Sequence, residues 1–307
     1  MIRHNRKKTG KHHLLLGICL FVICSLLSGC ALELGDFSAP ERAEVDSAAG
    51  SASLDGNPLR VIFLDVGQGA SQLLISPSGR TMLIDAGNNN MEEQMLDYLS
   101  QYGVGKIDVV IGTHPDADHI GGLDAVIDHH EVGAIYMPKV QSNTKTFESL
   151  LTSIRNKGLK VKSAQAGLEP DWDDQVKVSM LAPVEANDDS NNMSAVLKVS
   201  YGETSFLLTG DAERASEAAM LDAGEDVRAD VLLVGHHGSK SSTSPDFLRQ
   251  VAPEFAVIQV GDNSYGHPKQ EILDRLSKSG VRVFRNDLQG TVEIASDGQN
   301  YEIITER

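Results

Sequence analysis

The sequence predicts a mixed α/β (α+β) domain in which two β-sheets pack in the middle and helices lie outside. Three observations point there. Short runs rich in Val, Ile and Leu recur along the chain, amphipathic segments closed by Gly separate several of them, and hairpin-like connections mix with helical crossovers.

Taken in order, VIFLDV at Val61, SQLLIS at Ser71 and TMLIDA at Thr81 read as strands. Ser76-Pro77-Ser78-Gly79 makes the turn between the second and third. Met91 to Tyr102 has helical periodicity and stops at Gly103. A buried strand at Ile107–Thr113 follows, then a helix from Ile120 to His130, a strand at Ala134–Met137 and a helix from Thr146 to Lys157 ended by Gly158. The second half repeats the style. Strands are expected at Lys177–Ala182, Ala195–Tyr201, Ser205–Thr209, Val231–Val234 and Phe255–Val260, and from Val281 onward. Helices are expected at Glu213–Ala223, Pro245–Val251 and Lys269–Ser279.

Composition narrows the function classes. The 307 residues hold 27 Lys+Arg against 43 Asp+Glu, a formal charge of −16, which excludes a general nucleic-acid binder that works through a basic surface. A hydrophobic content of 41% fits a globular domain and not a polytopic membrane protein, and three Cys cannot build a disulfide scaffold.

The N-terminus reads as an export signal. Arg3, Arg6, Lys7, Lys8 and Lys11 precede the apolar run Leu14–Leu27, and Leu27-Ser28-Gly29-Cys30 follows. LSGC resembles the bacterial lipobox, in which cleavage precedes a lipid-modified Cys. The expected organisation is a lipoprotein signal peptide over 1–29, a flexible tether rich in Ala, Ser, Gly and acids over 30–58, and a folded domain over 59–307. Cys30 would anchor the protein on the extracytoplasmic face of the cell membrane. Removing residues 1–29 takes five basic residues and no acid, leaving 22 Lys+Arg against 43 Asp+Glu, a net −21, and leaves seven of the ten His.

Five of those seven His sit in loops that follow apolar strands. The loop after VVIG carries His114, Asp116, Asp118 and His119; Asp211 follows FLLTG; His236 and His237 follow VLLVG; His267 lies in Tyr265-Gly266-His267-Pro268. Imidazoles and carboxylates crowded at the ends of buried strands supply the nitrogen and oxygen ligands that Zn, Mn or Fe take. His129 and His130 are not delivered by a strand and read as a solvated helix end.

These motifs resemble the metallo-β-lactamase superfamily. The run from Thr113 to Gly122 is similar to its His-x-His-x-Asp-His signature, with Asp116 at the second His position, and LIDAG at Leu83–Gly87 resembles its early strand-end Asp motif. FLDVGQG at Phe63–Gly69, NNMSAVL at Asn191–Leu197, LLTGDAE, GHHGSKSSTSP and YGHP resemble the ComEC-like hydrolase domains within it. The resemblance implies a four-layer αββα metallo-β-lactamase sandwich and one or two divalent metal ions, Zn or Mn. It assigns one metal to His114, Asp116 and Asp211, and the other to Asp118, His119, Asp211 and His236. Asp118 would orient the attacking water, and His237 or His267 would serve the leaving group as catalytic proton donors. Lys240 and Lys269 are candidates to hold an anionic substrate. Three departures stand out: Asn191, Asn192 and Ser194 occupy the loop that commonly carries a third His, Asp116 replaces a His, and Ala70 replaces an Asp.

The expected function is an extracytoplasmic metal-dependent hydrolase acting on phosphodiesters, whether DNA, a small ester or a surface polymer bearing phosphorylcholine. The membrane, through the lipid anchor, and a nucleic acid or other phosphodiester substrate are the expected partners. The alternatives are a non-catalytic lipid-anchored binding protein with a degenerate site, and an amide or lactone hydrolase.

Overall fold

Alternation along the strands builds the molecule. In the computed structural model, which describes residues 43–44, 54 and 56–307, Val61 and Phe63 enter one apolar cluster while Ile62 and Leu64 enter another. That period of two sends successive side chains to opposite faces, so a strand apolar on both must be covered on both.

Nine strands form the first sheet, in the order Ala43–Glu44, Tyr301–Thr305, Val292–Ser296, Leu59–Phe63, Gln72–Ile75, Thr81–Ile84, Lys106–Ile111, Glu131–Met137 and Val161–Ser163. Six form the second, in the order Arg282–Arg285, Phe255–Ile258, Val231–Leu233, Thr204–Leu208, Val196–Tyr201 and Lys177–Ala182. Phe63, Leu74 and Ile84 of the first sheet share a cluster with Val199, Phe206 and Val257 of the second, which is the core between the sheets. A second cluster packs the outer face of the first sheet on the helices Glu92–Gln101, Leu123–His129 and Lys145–Asn156, through Met95, Val126 and Leu150. A third packs the second sheet on Arg214–Asp222, Pro245–Val251 and Gln270–Lys278, through Met220, Phe247 and Ile272. The result is the four-layer αββα order. Truncating Phe206 to Ala in this core would cost about 3–5 kcal/mol.

The expected elements hold with local differences. The single helix from Ile120 is two, Ala117–Ile120 and Leu123–His129, separated at Gly121-Gly122. A Cβ on Gly121 would lie 2.2 Å from the Asn89 backbone nitrogen, so Gly lets this corner pack against the turn that follows the strand Thr81–Ile84. The strand Val161–Ser163 was not expected; it is an exposed edge strand without an apolar period. Asn286–Gln289 is a short helix inside the closing strands. The Nδ1 atoms of His129 and His130 lie 2.8 and 3.2 Å from the carbonyls of Ala125 and Val126, so both rings close their own helix end.

Thr81–Ile84, Lys106–Ile111 and Glu131–Met137 are mutually parallel, as are Thr204–Leu208, Val231–Leu233, Phe255–Ile258 and Arg282–Arg285. Parallel strands bring successive C-terminal ends to one edge of each sheet. Asp85, His114, Asp211 and His237 follow four of those ends. The segment expected as a signal peptide, Cys30 of the expected lipobox and most of the expected tether lie outside the described residues. Ala43–Glu44, within the tether span, pairs antiparallel with Ile304 and Thr305. Among the described residues no helix is long and apolar enough to cross a membrane.

Candidate metal centre

Asp211 stands at the centre of the site, 4% exposed, in the turn after Thr204–Leu208. Its Oδ1 lies 3.1 Å from His119 Nε2 and 3.6 Å from His237 Nε2. Its Oδ2 lies 3.6 Å from His236 Nε2 and 3.9 Å from His114 Nε2. Four imidazoles therefore turn the same ring nitrogen toward one carboxylate.

For three of them the reason is visible at the other nitrogen. His119 Nδ1 donates to Asp85 Oδ2 over 2.7 Å, His237 Nδ1 to the Gln259 carbonyl over 2.7 Å, and His236 Nδ1 to Glu213 Oε1 over 2.9 Å. Anchoring Nδ1–H leaves the Nε2 lone pair facing the centre, the tautomer a metal ligand needs. His114 Nδ1 lies 3.1 Å from Thr113 Oγ1 and 3.4 Å from Ser194 Oγ, and its Nε2 is buried with no hydrogen-bond partner.

These residues fit a divalent cation. His119 Nε2 and His237 Nε2 lie 3.3 Å apart, and two lone pairs at that distance repel unless a cation or a proton lies between them. The charges tell the same story. Burial opposes a charged His119, yet Asp211 and Asp85 raise its pKa well above the usual imidazole value. Burial opposes the Asp211 carboxylate, yet the His119 and His237 charges hold it well below the usual range. Burial likewise opposes the Asp118 carboxylate, but the His237 hydrogen bond and the His119 charge bring its pKa to about 2. Burial, with His119 beside it, lowers His114 to about 4. The carboxylates thus favour positive charge among these rings, a role that a divalent cation would fill in place of protons.

The ligand atoms fall into two groups: His114, His119 and Asp211, and Asp118, His119 and His237. Four of the six residues expected as ligands belong to these groups: His114, Asp118, His119 and Asp211. Asp116 is peripheral; its side chain is 48% exposed, with Oδ2 3.9 Å from His114 Nε2. His237, expected as a proton donor, is the buried ring beside Asp118 at 3.4 Å, whereas His236, expected as the last ligand, stands on the Asp211 Oδ2 side and is partly exposed. Both adopt the left-handed backbone, φ 49° and 52°, which swings the adjacent rings to different sides of the carboxylate. His267 lies farther out. Its ring meets His236 edge-on at 5.6 Å, and burial together with His236 and His237 lowers its pKa to about 4, so it is neutral at pH 7.

Three residues that orient the rings, Glu213, Gln259 and Asp85, were not singled out as site residues. Asp85 is fully buried; it accepts from the Thr113 backbone N–H at 2.8 Å, from Thr113 Oγ1 at 2.6 Å and from His119 Nδ1. Its signal was the LIDAG motif. Gln259 had none: its carbonyl holds His237, and its side-chain amide donates to the Leu64 and Ser71 carbonyls at 3.0 and 2.9 Å. It thereby ties the FLDVGQG loop to His237. That loop reaches Asp118 as well, with Ala70 N–H donating to the Asp118 carbonyl at 3.0 Å, and a Cβ on Gly69 would lie 2.5 Å from that oxygen. Ser194, in the loop that lacks a third His, accepts from the Asp211 N–H at 3.2 Å.

Known proteins share this architecture. The model of the metallo-beta-lactamase superfamily matches residues 65–262. ComE operon protein 3 of Bacillus subtilis (strain 168) is 34% identical over 253 residues, covering 76% of this chain and 32% of that protein. Competence protein ComA of Neisseria gonorrhoeae is 31% identical over 242 residues, covering 77% of this chain and 32% of that protein. The chain spans about a third of the length of these curated relatives. Among solved structures, CmlA, a diiron beta-hydroxylase from Streptomyces venezuelae, aligns with a TM-score of 0.53 at 14% identity over 78% of this chain and 54% of that chain, a likeness of fold alone. The family match over most of the folded region, with relatives above 30% identity, places the fold: the chain belongs to the metallo-beta-lactamase superfamily, and its relatives there are ComEC-like.

Proposed function

We propose that the domain is a metal-dependent phosphodiesterase that works outside the cytoplasm. One observation carries the chemistry: four imidazole Nε2 atoms converge on the Asp211 carboxylate, and one of them, on His114, has no hydrogen-bond partner. The choice of phosphodiester is supported by the ComEC-like relatives, named for competence and recombination.

His114, His119, Asp211, Asp118 and His237 would hold one or two ions, Zn or Mn, with His236 and Asp116 at the margin. A bound divalent cation supplies Lewis acidity at the phosphoryl oxygen and makes water a nucleophile near neutral pH. The chain's own residues do the rest. Asp85, Gln259 and Glu213 orient three rings, and Asp118, held ionised, would orient water. Lys269, whose charge is felt by the outer His267, would draw an anion toward the centre.

The test is metal-supplemented hydrolysis of bis-p-nitrophenyl phosphate, short oligonucleotides and phosphorylcholine esters. Activity dependent on Mn or Zn and abolished by Asp211→Ala is the expected result. Activity retained in that variant, or less than one ion held per chain, would overturn the reading. Export and anchoring rest on residues 1–30 and are checked by metabolic labelling with a fatty-acid analogue, which should mark the wild type and not Cys30→Ala.

A further inference from the structure

The loop Gly261–His267 leaves the sheet beside the metal centre and carries an unusual side chain. Tyr265 is 66% exposed, the most exposed large hydrophobic residue among the described residues. An exposed aromatic on a loose loop would mean little, but this one is held. Asn263 Nδ2 donates to the Gly261 and His267 carbonyls at 2.8 and 2.9 Å, and its Oδ1 accepts from the His267 N–H at 3.0 Å. Lys269 Nζ donates to the Tyr265 carbonyl, and Lys269 N–H donates to the Gly238 carbonyl at 2.9 Å, fastening the loop to the segment that carries His236 and His237.

The held ring is also the outer step of a ladder. Tyr265 stacks on His267 at 5.7 Å with 30° between planes, and His267 meets His236 edge-on at 5.6 Å. His236 in turn lies 3.6 Å from Asp211. One face of the phenol is therefore backed by an imidazole while much of the ring remains open to solvent, two rings out from the carboxylate at the centre. Lys269 puts a positive charge under the same loop.

The geometry points to Tyr265, backed by His267, as a stacking platform for an unpaired nucleobase of the substrate, selecting single-stranded nucleic acid over other phosphodiesters. This rests on the phosphodiesterase reading and names its substrate class. The net charge of −16 offers a polyanion no general attraction. An acidic protein gains little from releasing the counterions of a polyanion, so affinity for nucleic acid must come from contacts that do not depend on net charge. Stacking on an aromatic face is such a contact, tolerates any base and requires that the base be out of a duplex.

The experiment compares a thymidine 12-mer with a 12-mer of the same phosphate spacing but no bases. Both are used as cleavage substrates of the metal-loaded protein and as fluorescently labelled ligands for anisotropy with chelator-treated protein. Tyr265→Ala should lower kcat/KM and affinity for the thymidine oligomer about 10-fold and leave the abasic oligomer unchanged, while Tyr265→Phe keeps the wild-type preference. Equal loss on both oligomers, or a wild type with no preference between them, would overturn the inference. A wild type that hydrolyses bis-p-nitrophenyl phosphate but neither oligomer overturns the platform and spares the phosphodiesterase. If no phosphodiester is hydrolysed at all, that reading fails, and the anisotropy comparison still decides the platform.

Discussion

Asp85 Oδ2 lies 2.7 Å from His119 Nδ1, and both side chains are fully buried. The pair joins the end of the strand Thr81–Ile84 to the short helix Ala117–Ile120 and aims His119 Nε2 at Asp211. Without the carboxylate, the ring loses the acceptor that fixes its tautomer and rotation.

Asp85→Asn should therefore weaken metal binding about 10- to 100-fold without removing a ligand. Isothermal titration of chelator-treated protein with Zn or Mn measures it. Unchanged affinity would show that Thr113 and packing alone hold His119.

The two adjacent histidines should behave differently. His237→Gln removes a buried ring that faces Asp118, His119 and Asp211, and should reduce affinity beyond the about 100-fold reached by an orienting residue. His236→Gln should cost less, because that ring touches only the Asp211 Oδ2 side and is partly exposed. Metal content per chain after dialysis separates them, and a larger loss in His236→Gln would reverse the assignment.

Metal should stabilise the protein more as pH rises. The folded-state pKa of His119 is raised above 6.5, so its contribution to the metal-free protein is complete below that value and lost as pH climbs through the raised one. Metal needs the deprotonated rings and binds better over the same range. The Tm difference between loaded and chelator-treated protein should widen as pH rises above 6.5 and through the raised value. A constant difference would mean that proton and metal do not compete for these rings.

Gly69→Ala tests the loop over Asp118. Its methyl would meet the Asp118 carbonyl at 2.5 Å, at a φ of 155° that side chains rarely adopt. A destabilisation of about 1–3 kcal/mol in urea unfolding is expected, with weaker metal binding as Asp118 shifts. Wild-type affinity in this variant would uncouple the loop from the site.

Most of the site was legible in the chain. His114, Asp118, His119 and Asp211 each follow a Val/Ile/Leu run that reads as a strand, so local patterning alone places polar groups at strand ends. The two-sheet architecture was equally visible, because hairpin-like connections mix with helical crossovers along the chain. The edge strand Val161–Ser163 and the Gly121-Gly122 break were not, since neither leaves an apolar period to read.

By itself, the sequence determined which residue types gather at the strand ends, and its motifs carried the resemblance to the superfamily. Only the tertiary structure decided which ring of His236-His237 enters beside Asp118. Adjacent residues share one local signal, and the choice is made by partners far along the chain: Glu213, 23 positions from His236, and the carbonyl of Gln259, 22 positions from His237. Asp85 and His119 are 34 positions apart, and their pairing exists because two parallel strands end side by side.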